Sequence, residues 1–188
     1  MSPILVAGPA VEPVTLTDAK AHLRLDTPDE DAVVASLIAA ARQLVEQATR
    51  RALIAQTWRI RLDAWPQGRA VALPLAPVLT IVAVRVTPAS GPPEILAPAL
   101  YRLDEGRDPP QLVLEDAAPD PGIRSGGIEI DASFGFGAAP ADVPAPLRLA
   151  IQRLVARWFE RRGDEAGDGA MPSDVAALIA PFIRPRIA

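Results

Sequence analysis

Cysteine is absent from the 188 residues. That excludes disulfides, thiolate nucleophiles, iron-sulfur clusters and sulfur-ligated zinc together. Histidine occurs once, at His22, so one chain cannot assemble a multi-histidine metal site, and serine-histidine-aspartate chemistry would have to run through that residue alone. Lysine is equally scarce: Lys20 stands alone and every other basic residue is arginine, while alanine and proline are abundant, the imprint of a GC-rich genome. Basic residues number 19 against 23 acidic ones, a net charge of -4, so the chain as a whole lacks an electrostatic footprint for nucleic acid and any DNA contact would be local. No apolar run approaches the roughly 20 residues of a membrane span, and residues 1–10 contain no basic stretch of the signal-peptide kind. The expectation is a chain made in the cytoplasm with no membrane contact. What is present is the composition of a folded protein, 49% hydrophobic and 22% charged, with enough length for one domain or one domain carrying a sizeable insertion.

Hydrophobic periodicity divides the chain into blocks. Thr15 followed by Asp18 resembles a cap, and Leu16, Ala19 and Leu23 share one face of a short helix. Thr27-Pro28-Asp29-Glu30 reads as a second helix start, with Asp29, Glu30 and Asp31 favourable near the positive end of the dipole. Val33, Val34, Leu37, Ile38, Ala41, Leu44, Val45 and Ala48 then recur at helical spacing and carry that helix to about Thr49.

After Arg51 the period becomes two, with Trp58, Ile60 and Leu62 on one face and Thr57, Arg59, Arg61 and Asp63 on the other. Further strands are predicted at 70–73, 79–87, 101–104, 111–114 and 127–134, separated by proline, glycine and aspartate turns. Helical spacing returns with Leu147, Ala150, Ile151, Leu154, Val155 and Trp158, ending near Arg162-Gly163, and a short helix follows over 174–179 with Ser173 as its cap. The fold class expected is α+β: a small bundle of two long and two short helices with an inserted antiparallel β block. The helical parts are 1–54 and 141–188, forming one domain, and the β block is 55–140.

Candidate sites are few. Gly126-Gly127 and Gly135-Phe136-Gly137 lack the spacing of phosphate-binding loops and read as turns or strand ends. The cluster Asp29, Glu30, Asp31 reads as dipole compensation, and Asp164, Glu165, Asp168 as a solvated loop without the ligand order of a calcium site. His22 has no nucleophile or orienting carboxylate indicated by its surroundings in the sequence. Trp58 and Trp158 fall on core-facing patterns, with Trp65 and Phe159 as the other aromatics able to stack on bases. Arg153, Arg157 and Arg161 recur every four residues and read either as a solvent face or as a surface for phosphates or acidic partners. Phe182, Ile183 and Ile187 interleave with Arg184, Pro185 and Arg186 at the end of the chain, a mixture used by docked segments, either on a partner or on the chain's own body. No catalytic, cofactor-binding or metal site emerges.

Taken in order, Leu16-Thr17-Asp18-Ala19-Lys20-Ala21-His22-Leu23-Arg24-Leu25, Leu44-Val45-Glu46-Gln47-Ala48-Thr49-Arg50-Arg51-Ala52-Leu53, Gln56-Thr57-Trp58 and Leu73-Pro74-Leu75-Ala76-Pro77-Val78 resemble the head-tail connector or adaptor proteins of long-tailed bacteriophages and gene transfer agents. So do Val143-Pro144-Ala145-Pro146-Leu147, Trp158-Phe159-Glu160 and Pro181-Phe182-Ile183-Arg184. The resemblance implies a structural, non-enzymatic virion protein: a ring, expected to be twelve subunits, seated below the portal protein at the head-tail junction. It would extend the channel through which DNA passes without sequence-specific binding and meet a stopper or the next tail component. Phe182, Ile183, Arg184, Arg186 and Ile187 would then contact the portal, and Arg153, Arg157 and Arg161 would face a neighbouring subunit or the channel. The alternatives are another ring component of the same particle, a stopper or tail terminator, and a small hydrolase acting through His22.

Overall fold

Leucine, isoleucine, valine and alanine at three- and four-residue intervals can be buried only if a second apolar stripe faces them, and the chain supplies that stripe from a distant segment. A computed structural model describes residues 2–161 and 171–183. Among the described residues it contains four α-helices and eight β-strands, in two compact units: a β unit, Met1–Pro9 with Ala55–Gly135, and a helical unit, Ala10–Ile54 with Phe136–Ala188. The expected class, two long and two short helices with antiparallel strands, is what is found.

In the helical unit, α1 (Leu16–Leu23) starts where Thr15 accepts a hydrogen bond from the Asp18 amide at 3.0 Å, and it stops at Arg24 in the left-handed conformation. The second helix, α2 (Asp31–Thr49), ends where its periodicity ends but starts later than the Thr27-Pro28 cap suggests. Residues 28–31 form a turn instead, with the Asp31 amide donating to the Pro28 carbonyl at 3.0 Å. Tertiary contacts override the local cap here: Leu25 packs on the helical core, and the Asp31 carboxylate meets Lys20 at 2.5 Å. Val34, Ile38, Ala41 and Val45 of α2 pack with Leu147, Ala150, Ile151, Leu154 and Val155 of α3 (Ala145–Glu160). Val175 and Ile179 of α4 (Ser173–Ile179) complete this core. Each large aliphatic side chain so buried contributes about 1.5–3 kcal/mol.

The β unit holds two antiparallel sheets. The larger comprises β1 (Ser2–Ala7), β2 (Gln56–Leu62), β4 (Val78–Val86), β5 (Glu94–Ile95) and β8 (Ile128–Phe134), in the order β1-β2-β8-β4-β5. The smaller is β3 (Ala70–Ala72), β6 (Tyr101–Asp104) and β7 (Gln111–Leu114), in the order β3-β7-β6. Ile60, Ile130 and Val84 stand side by side across three strands and are fully buried, so a slip of one residue would drive this row into solvent. Two strands depart from the sequence reading. Residues 2–7, placed there with the helical part, pair with β2, because Ser-Pro-Ile-Leu-Val-Ala is an apolar run whose lack of period hides a strand. The two-residue β5 is too short to show a period at all.

The chain leaves the helical unit after Ile54 and returns at Phe136. There the Phe136 amide donates to the Leu53 carbonyl at 3.1 Å, and Ile54 and Gly137 form a parallel bridge. A Cβ on Gly137 would fall 2.5 Å or less from three side-chain atoms of Asp142, whose carboxylate accepts the Ala139 amide at 2.8 Å. Gly137→Ala is therefore expected to destabilise the protein by about 1–3 kcal/mol in urea denaturation, through displacement of Asp142.

Candidate functional site

The apolar and basic end of the chain is anchored before it leaves the described residues. Val175 and Ile179 sink into the helical core, and Phe182 is half-buried against it. Arg51, just beyond the end of α2, donates its Nε to the Phe182 carbonyl at 2.9 Å. Arg153 of α3 donates to the Asp174 carboxylate at 3.0 Å and so ties α4 to α3. Removal from water pushes the Asp174 carboxyl up, but the Arg153 guanidinium and the amides of Val175 and Asp174 outweigh this and hold it below the usual carboxylate range. Ile183 is exposed, while Arg184, Arg186 and Ile187 lie outside the described residues. Of the arginine row, Arg153 is engaged within its own chain, Arg157 is exposed on α3, and Arg161 is exposed just past its end.

The other sequence candidates take structural places. His22 is exposed on α1. Asp31 is paired with Lys20, and among the described residues no cluster of three histidine, cysteine, aspartate or glutamate side chains is placed to hold a metal ion. Asp164, Glu165 and Asp168 fall outside the described residues. Trp158 and Phe159 pack on the helical core, the indole N–H of Trp58 donates to Gln56 at 3.1 Å, and that of Trp65 donates to the Pro119 carbonyl at 2.9 Å. Gly126 occupies a left-handed turn position and Gly135 follows the last strand, so both glycine pairs serve backbone geometry. Among the described residues no helix is long and apolar enough to cross a membrane.

Two charge clusters, each centred on one buried residue, Arg42 or Asp131, were not marked as sites by the sequence. In the helical unit, Arg42 donates to Glu12 and to Glu46, each at 2.8 Å, and Glu46 also accepts the Leu53 amide at 2.9 Å. Burial pulls the Arg42 guanidinium down, and the two carboxylates more than compensate, leaving it raised. The four-residue Arg42–Glu46 spacing is readable from sequence, whereas Glu12 is not. In the β unit, Asp131 lies between Arg59 and Arg85, accepting from Arg59 Nε at 2.7 Å and from Arg85 at 2.6 Å, and Glu129 meets Arg61 at 2.5 Å. The hydrogen bond from Arg59 is the main cause that holds the Asp131 carboxyl below its ordinary value, against the opposing effect of burial.

These clusters brace the scaffold. They contain no nucleophile with an adjacent base.

A lowered carboxyl pKa means that the unfolded state binds the proton more readily, so this contribution is complete above about pH 4 and is lost as pH falls toward the folded-state value. Asp131→Asn is expected to lower stability by about 2 kcal/mol at pH 7, with the deficit shrinking at pH 3, in paired urea titrations.

The profile of the phage gp6-like head-tail connector protein family matches residues 13–83. A chain from the neck of an empty gene transfer agent (GTA) particle, computed with C6 symmetry, is 36% identical, with a TM-score of 0.82 over 100% of this chain and 98% of that one. A chain from the virion of a native GTA particle is 34% identical with a TM-score of 0.81, and one from the neck of a native GTA particle computed with C12 symmetry is 34% identical with a TM-score of 0.74. Both alignments cover 100% of this chain and 98% of the other. No curated protein sequence matches the chain. The protein thus belongs to the phage gp6-like head-tail connector family and is a structural connector of the head-tail junction.

Proposed function

We propose that this chain assembles as a closed ring of twelve copies in the neck of a phage-like particle, below the portal protein and above a stopper or the next tail component. The observation that carries this reading is the full-length likeness, at 34–36% identity, to chains in particle necks computed with sixfold and twelvefold symmetry. A ring of identical subunits needs two different faces that complement each other and recur by rotation. The chain is made in the cytoplasm and becomes part of the particle on assembly, with no catalytic role of its own. Its net charge of -4 suits a channel wall along which DNA slides without being held.

The portal-facing part is the end of the chain: Ile183 with Arg184, Arg186 and Ile187, carried on a base fixed by α4 and Phe182. Phe182 itself belongs partly to that base, since its ring packs on the helical core and its carbonyl is held by Arg51. Arg157 and Arg161 are the exposed members of the arginine row available to a neighbouring subunit or to the channel, and Arg153 positions α4.

Deleting the gene in its source is expected to yield DNA-filled heads and free tails that fail to join, seen by electron microscopy and reversed by complementation. Normally joined particles would overturn the reading. Truncation after Ile183, which spares the Arg51–Phe182 contact, is expected to abolish joining while leaving helix content and unfolding midpoint unchanged by circular dichroism. Joined particles from the truncated chain would remove the portal assignment alone.

A further inference from the structure

We propose that neighbouring copies join their five-stranded sheets edge to edge, β1 of one copy pairing antiparallel with the free part of β4 of the next. The proposal rests on the ring reading above and assigns the contact between its subunits. The strand β4 runs from Val78 to Val86, but β5 pairs with only Arg85 and Val86. At the opposite end of the sheet, β1 pairs with β2 alone. Among the described residues the sheet therefore ends in two open edges of matching length, Ser2–Ala7 and Val78–Ala83. An open edge presents a row of backbone donors and acceptors, which is a template for another strand.

The side chains point to the same use. Ile4, Leu5 and Val6 on one edge and Leu79 and Val82 on the other are between 44% and 56% exposed. Neither six-residue segment contains a charged residue, the usual protection of an edge, and Pro3 is the one proline in either. The ion-paired charges of this sheet lie on β2, β8 and the β5-paired end of β4, and Glu94 on β5 lies at the β4 edge. The pairing register shifts at Val6 on β1 and at Leu79 and Val82 on β4. Irregularities of this kind ordinarily discourage an added strand, yet here each coincides with an exposed aliphatic side chain that gains from being covered.

Strand polarity selects the partner as a second copy in head-to-tail order. The pairs β1·β2, β2·β8 and β8·β4 are all antiparallel, so β1 and β4 run in opposite directions. Rotation about an axis lying along the strands moves a copy to its neighbour's place without reversing it, and its β1 then meets β4 antiparallel, like every other pair in the sheet. A twofold β1-to-β1 contact would use one edge and stop at a dimer. Only the β1-to-β4 contact uses both edges and propagates around a closed ring.

Because the chain lacks cysteine, introduced thiols are the only ones this protein carries, and the gel is read with an antibody against it. Ile4→Cys, Val82→Cys and the double variant are produced in the source, and assembled particles are treated with a short bismaleimide, imaged, and run on a denaturing gel. The double variant is expected to give a ladder rising from dimer to high multiples of the chain, and each single variant to stay monomeric. The pair Leu5→Cys and Leu79→Cys samples a second register and replaces the first pair if that fails to assemble. Intact rings in the micrographs with monomers alone from both pairs would overturn the edge contact and leave the ring standing. Dimers from Ile4→Cys by itself would overturn it in favour of a twofold contact. Particles whose necks contain no ring of this chain would remove the ring reading and the edge contact together.

Discussion

The meeting of Leu53 with Phe136, and of Ile54 with Gly137, is the constraint on which the two-unit organisation depends. The helical core needs α2 and α3 side by side, yet the residues between them include nearly the whole β unit. Closing so long an excursion is affordable in entropy because the cost rises only with the logarithm of its length, and the excursion folds on its own pairings. What must be met is geometric: the two ends have to lie at hydrogen-bond distance. Gly137 permits this by leaving room for the Asp142 side chain, and Glu46 helps by accepting the Leu53 amide while holding Arg42.

The helices were legible because burial imposes a period of 3.6 and the chain obeys it, from Val34 to Val45 and from Leu147 to Val155. The start of α2 was misread because Thr27-Pro28 is a sound local cap, and a single ion pair together with one packed leucine outweighs it. The strands with alternating patterns were also legible, whereas β1 has side chains of one character on both faces and therefore no alternation to detect. Arg59 and Arg61 were correctly placed on one face of β2 by period alone. Their partners Asp131 and Glu129 lie some seventy residues away in sequence, and pairing at that distance leaves no local trace.

The proposed surfaces divide in the same way. The end of the chain drew attention through its mixed apolar and basic residues, and the structure separates a fixed base, Phe182, from the exposed Ile183 beyond it. The arginine row was read as a unit from its spacing, but Arg153 has an acidic partner in a helix twenty-one residues on and belongs to the scaffold. Residue chemistry alone reached a protein without a catalytic constellation. The order of many weak segments carried the resemblance to head-tail connectors, a kind of signal that resides in the whole chain and in no single site.

Among the described residues, guanidinium groups supply the cation in every ion pair except Lys20–Asp31. A guanidinium stays charged to beyond about pH 12, whereas an ammonium begins to lose its proton near pH 10. Every ion pair but one therefore keeps its cation charged up to about pH 12. Amine-directed reagents such as acylating labels and aldehyde fixatives find one lysine side chain per copy, and reaction there would break the Lys20–Asp31 pair while leaving every guanidinium pair in place.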